Sequence, residues 1–136
     1  MDMSPIIAVH LGAAGTATLI GPVALWARRA RQQHPRIHRA FGYAWVTLML
    51  LAAVSALFIR DFKLPNIHGY TPIHLLVPAT FFGLFGAFWA LAHGNIRRHR
   101  LFMLITYISG CIIAGAFTLL PNRYLGKLLW ASLGLA

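Results

Sequence analysis

The stretch TPIHLLVPATFFGLFGAFWALA, residues 71–92, contains no Asp, Glu, Lys or Arg. As a helix it rises roughly 30 Å, the thickness of a bilayer's hydrocarbon core. Three further runs have the same character: residues 5–27, 40–59 and 101–120, none with a charged side chain. Strand-sized segments of alternating polarity are absent, which excludes a transmembrane β-barrel. The expected fold is all-α: a polytopic membrane four-helix bundle.

Composition agrees. Of the 136 residues, 59% are hydrophobic and 10% charged, where a soluble domain carries roughly a quarter charged. A soluble fold of this size exposes too much surface to hide so much apolar area. Lipid removes the conflict.

The net charge of +10 does not point to nucleic acid. The basic residues sit in short clusters between apolar runs, and no soluble module presents a basic face. Arg28, Arg29, Arg31, Arg36 and Arg39 lie between the first and second runs, and Arg97, Arg98 and Arg100 between the third and fourth. The other side carries only Arg60, Lys63, Arg123 and Lys127, with both acids, Asp2 and Asp61. In a cytoplasmic-type membrane the positive-inside rule then puts the arginine-rich loops in the cytoplasm and both termini outside. The first run has almost no basic residue before it and a cluster after it, so it reads as a retained helix, not a signal peptide. Residues 123–136 are too short to span. They read either as an interfacial helix, with Trp130 and Tyr124 at headgroup level, or as a frayed tail.

The chain also repeats itself weakly. His10-Leu11 is matched by His74-Leu75, Trp26 by Trp89, and His38-Arg39-Ala40-Phe41 by His99-Arg100-Leu101-Phe102. The offset is 64 at the first match and 61 at the last. The unit is a helical hairpin, and two spans per unit make the repeats parallel.

Helices in lipid hold together by close fit, so small residues mark the contacts. Ala13, Ala17 and Gly21, with Gly12 and Thr16 beside them, mark the first helix. Ala79, Gly83 and Ala87 mark the third, and Gly110, Ala114 and Gly115 the fourth. Pro22 and Pro78 each free a carbonyl one turn earlier. Thr18 is the expected partner near Pro22. The single cysteine, Cys111, reads as a small buried residue.

Seven histidines is many for this length. His10, His68 and His74 fall toward the outer surface, and His34, His38, His93 and His99 toward the cytoplasm. One reading is ligation of haem b, since two imidazoles from different helices of a bundle can hold a haem iron axially. His10 with His74 would make an outer site. His38 with His99 would make an inner one, with Arg39 and Arg100 near the propionates. Electrons would then pass between a quinone and a partner on the other face. Against this, no single helix carries two histidines at the half-membrane spacing frequent in multihaem bundles. A second reading makes the same residues depth anchors that meet lipid phosphates and water. A third is a metal site at His34 and His38, which the surrounding arginines oppose.

No carboxylate lies inside a span, which argues against an ion-coupled transporter. Nucleotide-loop, zinc-protease and Ser-His-Asp patterns are missing, so no independent catalytic activity is expected. The early His before a small-residue helix ending Gly21-Pro22, and the His34-Pro35 to His38-Arg39 stretch echoed by His99-Arg100, resemble an uncharacterised family of small bacterial predicted membrane proteins. The likeness runs from about His10 to Leu120. It implies four helices and a bacterial inner membrane, and carries over no catalytic residue. Two functions are carried forward. One is a small membrane redox protein binding haem b, with His10 and His74 as iron ligands. The other is a non-catalytic accessory or assembly subunit, packed through its small-residue faces against other membrane subunits or its own copies and binding lipid with its arginines.

Overall fold

The computed structural model describes residues 3–28, 33–63 and 65–135. Asp2, Arg29, Arg31 and Ala136, which entered the charge and tail readings, lie outside the described residues. Four helices are long and apolar enough to span a membrane: α1 (Pro5–Trp26), α2 (Pro35–Ala56), α3 (Pro72–Ala92) and α4 (Ile96–Thr118). A short α5 (Tyr124–Ser132) follows. Among the described residues the β-type pairing is an isolated bridge between Ile67 and Tyr70. His68 and Gly69 turn between them with φ of 54° and 86°.

Capping residues set where the helices begin. The Ser4 hydroxyl accepts from the Ile7 N–H at 3.4 Å, and the Asn95 side-chain oxygen accepts from the Arg98 N–H at 3.0 Å. Prolines open α1, α2 and α3, where a missing N–H costs nothing. Consequently α2 and α4 start about five residues before the apolar runs at 40 and 101. Hydropathy marks the edge of the hydrocarbon, whereas the cap marks the end of the helix, and the arginine-bearing first turns lie between the two. The first turn of α3, Pro72–Leu75, is 3-10. Within α4, residues Ile108–Ile113 form a π turn.

The helices pair as two hairpins, α1 with α2 and α3 with α4. Helix α2 lies against α3, and α1 reaches the π turn of α4. Ala17, Trp45, Met49, Leu84 and Cys111 form the centre, with Ile20, Met103 and Tyr107 packed around them. Large apolar side chains such as Leu19, Phe82, Phe85, Ile105 and Phe117 point outward, where lipid receives them.

Small residues do make the contacts, though not always the expected ones. Helix α1 buries Ala13, Ala17, Gly21 and Ala24, while Gly12 and Thr16 are exposed. Helix α3 buries Thr80, Gly83, Ala87 and Ala90, and Ala79 faces out. Its contact row therefore runs through Thr80 rather than Ala79. A Cβ on Gly83 would overlap the Thr106 hydroxyl of α4. In α4 the buried residues are Thr106 and Cys111, five apart, a spacing the wider π turn puts on one side. The π turn also ends the expected stripe. Gly110 meets Met49, but a Cβ on Gly115 would touch nothing within 4 Å. Cys111 is buried, its thiol 3.6 Å from the Met49 sulfur.

The carbonyl freed by Pro22 is that of Thr18, and its partner is not the Thr18 hydroxyl. That hydroxyl donates to the Ala14 carbonyl at 2.8 Å, and the Tyr107 hydroxyl donates to the Thr18 carbonyl at 3.0 Å. A side chain cannot easily reach back to its own residue's carbonyl, whereas the neighbouring helix offers a phenol at the right depth.

Of the two readings of the tail, the helix is the one formed. Gly126 lies so close to the Leu120 carbonyl that any side chain there would overlap it. The Trp130 indole N–H donates to the Leu119 carbonyl at 3.0 Å. Arg123 pairs with Asp61 at 2.6 Å, which ties the start of α5 to the segment between α2 and α3.

Candidate functional site

The four histidines singled out from the sequence each give a ring N–H to a main-chain carbonyl. A carbonyl only accepts, so each contact assigns the proton to the ring nitrogen. Nδ1 of His10 lies 2.9 Å from the Ala52 carbonyl and 3.1 Å from the Ser55 hydroxyl. Ser55, itself buried, donates to the same Ala52 carbonyl at 3.0 Å. His38 donates from Nδ1 to the Ala24 carbonyl at 2.8 Å, and His99 from Nδ1 to the Ala87 carbonyl at 2.9 Å.

His38 and His99 are each the fourth residue of their helix. The carbonyls they reach lie two residues before Trp26 and Trp89, which the repeat also equates. Donor, acceptor and depth thus recur in both hairpins. In each, the imidazole of the returning helix pins it to the end of the outgoing one.

The outer layer breaks the repeat. His10 reaches α2, its hairpin mate. His74 does not reach α4, where the position equivalent to Ala52 falls at Ile113, inside the π turn. Instead its Nε2 donates to the Ile59 carbonyl at 2.8 Å, and its Nδ1 accepts from the Thr71 N–H at 3.1 Å. His10 and His74 thus both address the end of α2, at Ala52 within its last turns and at Ile59 just past them.

Geometry therefore brings His10 and His74 into one region, while His38 and His99 each bond within their own hairpin. Arg39 and Arg100 are exposed and make no hydrogen bond or ion pair among the described residues. His34 stacks on Trp26, ring centroids 5.3 Å apart, so it and His38 are engaged in different directions. Among the described residues no group of three or more His, Cys, Asp or Glu could hold a metal ion.

The nitrogens left over define what these residues can do chemically. His10, His38 and His99 have Nδ1 held by a carbonyl, and their Nε2 atoms make no hydrogen bond among the described residues. An imidazole held in this way has its ring orientation fixed and, in its neutral form, turns the Nε2 lone pair to whatever lies beside it, the arrangement usual for a histidine that ligates a metal. His74 has both nitrogens engaged.

Three polar residues escaped notice in the sequence: Trp45 and Tyr107 at the centre and Ser55 at the end of α2. Tyr107 and Ser55 serve carbonyls. The buried Trp45 indole N–H has no partner among the described residues. For Tyr107 a signal existed, since a phenol inside an apolar span must find an acceptor. Which acceptor depends on helix rotation.

The profile of a family described as predicted membrane protein (DUF2306) matches residues 7–120. No curated protein and no solved structure matches the chain.

Proposed function

The chain belongs to the DUF2306 family of predicted membrane proteins, and on that footing we propose that it is a small membrane redox protein holding haem b through imidazoles of its bundle. The observation that carries this reading is the shared state of His10, His38 and His99. In each, Nδ1–H is tied to a carbonyl and Nε2 is left to donate its lone pair. Bound haem supplies one-electron chemistry, which none of these side chains has alone. His10 and His74 are the iron ligands of the outer site. His10 is already oriented, and His74 must release the Ile59 carbonyl, which lies past the end of α2 in non-helical chain. An inner site at His38 and His99 would need an approach of the two hairpins, since each imidazole bonds within its own; the unpaired Arg39 and Arg100 next to them would meet the propionates. A quinone in the bilayer is the electron partner. The membrane is a bacterial inner membrane, and the arginine-bearing end faces the cytoplasm with both termini outside.

The test is a reduced-minus-oxidised absorption spectrum of protein purified from haem-replete cells. The expected result is the α-band of a low-spin haem, reduced in His10→Ala and in His38→Ala. A colourless, folded protein overturns the reading.

One observation favours a second function. The bundle centre is filled by Trp45, Met49, Tyr107 and Cys111, and the same histidine bonds fasten the hairpins without any cofactor. On that reading the chain is a non-catalytic accessory subunit, assembling with other membrane subunits or with itself. It yields no visible band, and His38→Ala and His99→Ala then lower thermal stability alone.

A further inference from the structure

Helices α3 and α4 enclose a groove of about 670 Å³ that opens outward, lined by Phe82, Phe85, Gly86, Trp89, Phe102 and, at one end, His93, Asn95 and Arg98. Gly86 forms its floor, because a Cβ there would come 2.8 Å from the Phe102 ring. Phe82 packs edge-on to Phe102 at 6.5 Å, and Trp89 stacks on His93 at 4.5 Å. The wall is exposed: Phe82 by 70%, Phe85 by 66% and Trp89 by 59%. The repeat does not account for it. At the Trp26–Trp89 offset, Phe82 and Phe85 fall on Leu19 and Pro22 of the first hairpin.

The polar end has spare donors on Asn95 and Arg98, beside a ring nitrogen of His93. His93 gives Nδ1–H to the Trp89 carbonyl at 2.8 Å and keeps Nε2 outward. The Asn95 oxygen caps α4 and leaves the amide NH2 group. The Arg98 guanidinium has no partner among the described residues. Arg97 and Arg100 flank it, and the acidic residue described, Asp61, is at the other end of the bundle, paired with Arg123. From Phe82 to His93 the groove follows about 16 Å of helix, half of a hydrocarbon core roughly 30 Å thick. Its cationic end is thus at the interface and its aromatic wall runs one leaflet deep.

We propose that this groove is a binding site for an acidic glycerophospholipid of the leaflet at the arginine-bearing end. One acyl chain lies along Phe82, Phe85 and Trp89, and the phosphate is held by Arg98 with Asn95. A neutral amphiphile would leave the guanidinium unmatched, and a free phosphate would leave the aromatic wall unused.

Proteoliposomes of phosphatidylcholine carrying a minor fraction of brominated phosphatidylglycerol test the site through the tryptophan fluorescence that Trp89→Phe removes. Brominated phosphatidylglycerol is expected to quench that component about fivefold more effectively than brominated phosphatidylcholine, the discrimination one interfacial arginine provides. Arg98→Gln removes the preference, Arg98→Lys keeps most of it, and Arg97→Gln, outside the groove, leaves it. Equal quenching by the two lipids overturns the proposal. So does a loss in Arg97→Gln as large as in Arg98→Gln, which would signify general surface charge. Native mass spectra of wild type and Arg98→Gln give a readout independent of tryptophan. Equal retention of phosphatidylglycerol by the two proteins overturns the proposal as well.

Discussion

The Tyr107 hydroxyl lies 3.0 Å from the Thr18 carbonyl, the group that Pro22 leaves without a helical partner. A proline in one span and a phenol in another thus form one unit of the bundle, joined at a carbonyl 89 residues from the phenol. In hydrocarbon an unmet carbonyl finds no water, so the phenol determines whether α1 tolerates its proline.

Tyr107→Phe is expected to destabilise the protein by about 1 kcal/mol, in the range of interhelical hydrogen bonds in membranes. Pro22→Ala restores an N–H to the Thr18 carbonyl. In the Pro22→Ala background the same Tyr107→Phe change should therefore cost measurably less. Reversible unfolding in mixed micelles gives both values, and an equal cost in both backgrounds would disprove the coupling.

Two glycines separate close packing from mere helix softness. Gly83→Ala puts a methyl group into the Thr106 hydroxyl, and overpacking of this kind costs roughly 1–3 kcal/mol. Gly115→Ala meets nothing within 4 Å and exchanges a poor helix former for a good one, so it is expected to be neutral or stabilising by up to about 1 kcal/mol. Thermal denaturation in detergent distinguishes the two.

Arg123 and Asp61 are half-buried and 2.6 Å apart. An ion pair of this exposure contributes roughly 1 kcal/mol or less. Asp61→Asn should therefore leave global stability almost unchanged while loosening the contact. Hydrogen exchange is expected to rise in residues 60–70 and 123–132 together, and a rise in only one segment would refute the tie.

Gly126→Val sets a side chain against the Leu120 carbonyl. Helix α5 should leave the end of α4, and Trp130 should lose its bond to Leu119. A red-shifted Trp130 emission, measured against a Trp130→Phe control, reports the release. Unchanged emission contradicts it.

Reporter fusions test orientation. A fusion after residue 135 should be active only for an enzyme that works outside the cytoplasm. Replacing Arg97, Arg98 and Arg100 with Gln should weaken that bias, since they supply three of the eight basic residues at their end.

The histidine bonds divide along the same line as the rest of the molecule. His38 and His99 stood out as a repeated motif, and their bonds to Ala24 and Ala87 repeat as well. The sequence equated His10 with His74 in the same way, yet their bonds differ, because the π turn in α4 changes what faces His74. Ala79 was expected inside and lies outside, since a four-residue stripe does not fix how the helix is rotated.

Chain chemistry alone settled the number of spans and the end that carries the arginines. Each of these is a sum over consecutive residues, and transfer into hydrocarbon is nearly additive along a helix. Tertiary structure alone decided which carbonyl each imidazole meets, that Tyr107 serves Pro22, and that α3 and α4 leave a groove between aromatic walls. Those relations depend on helix rotation and on a local π turn, and both are fixed by steric fit between segments far apart in the chain.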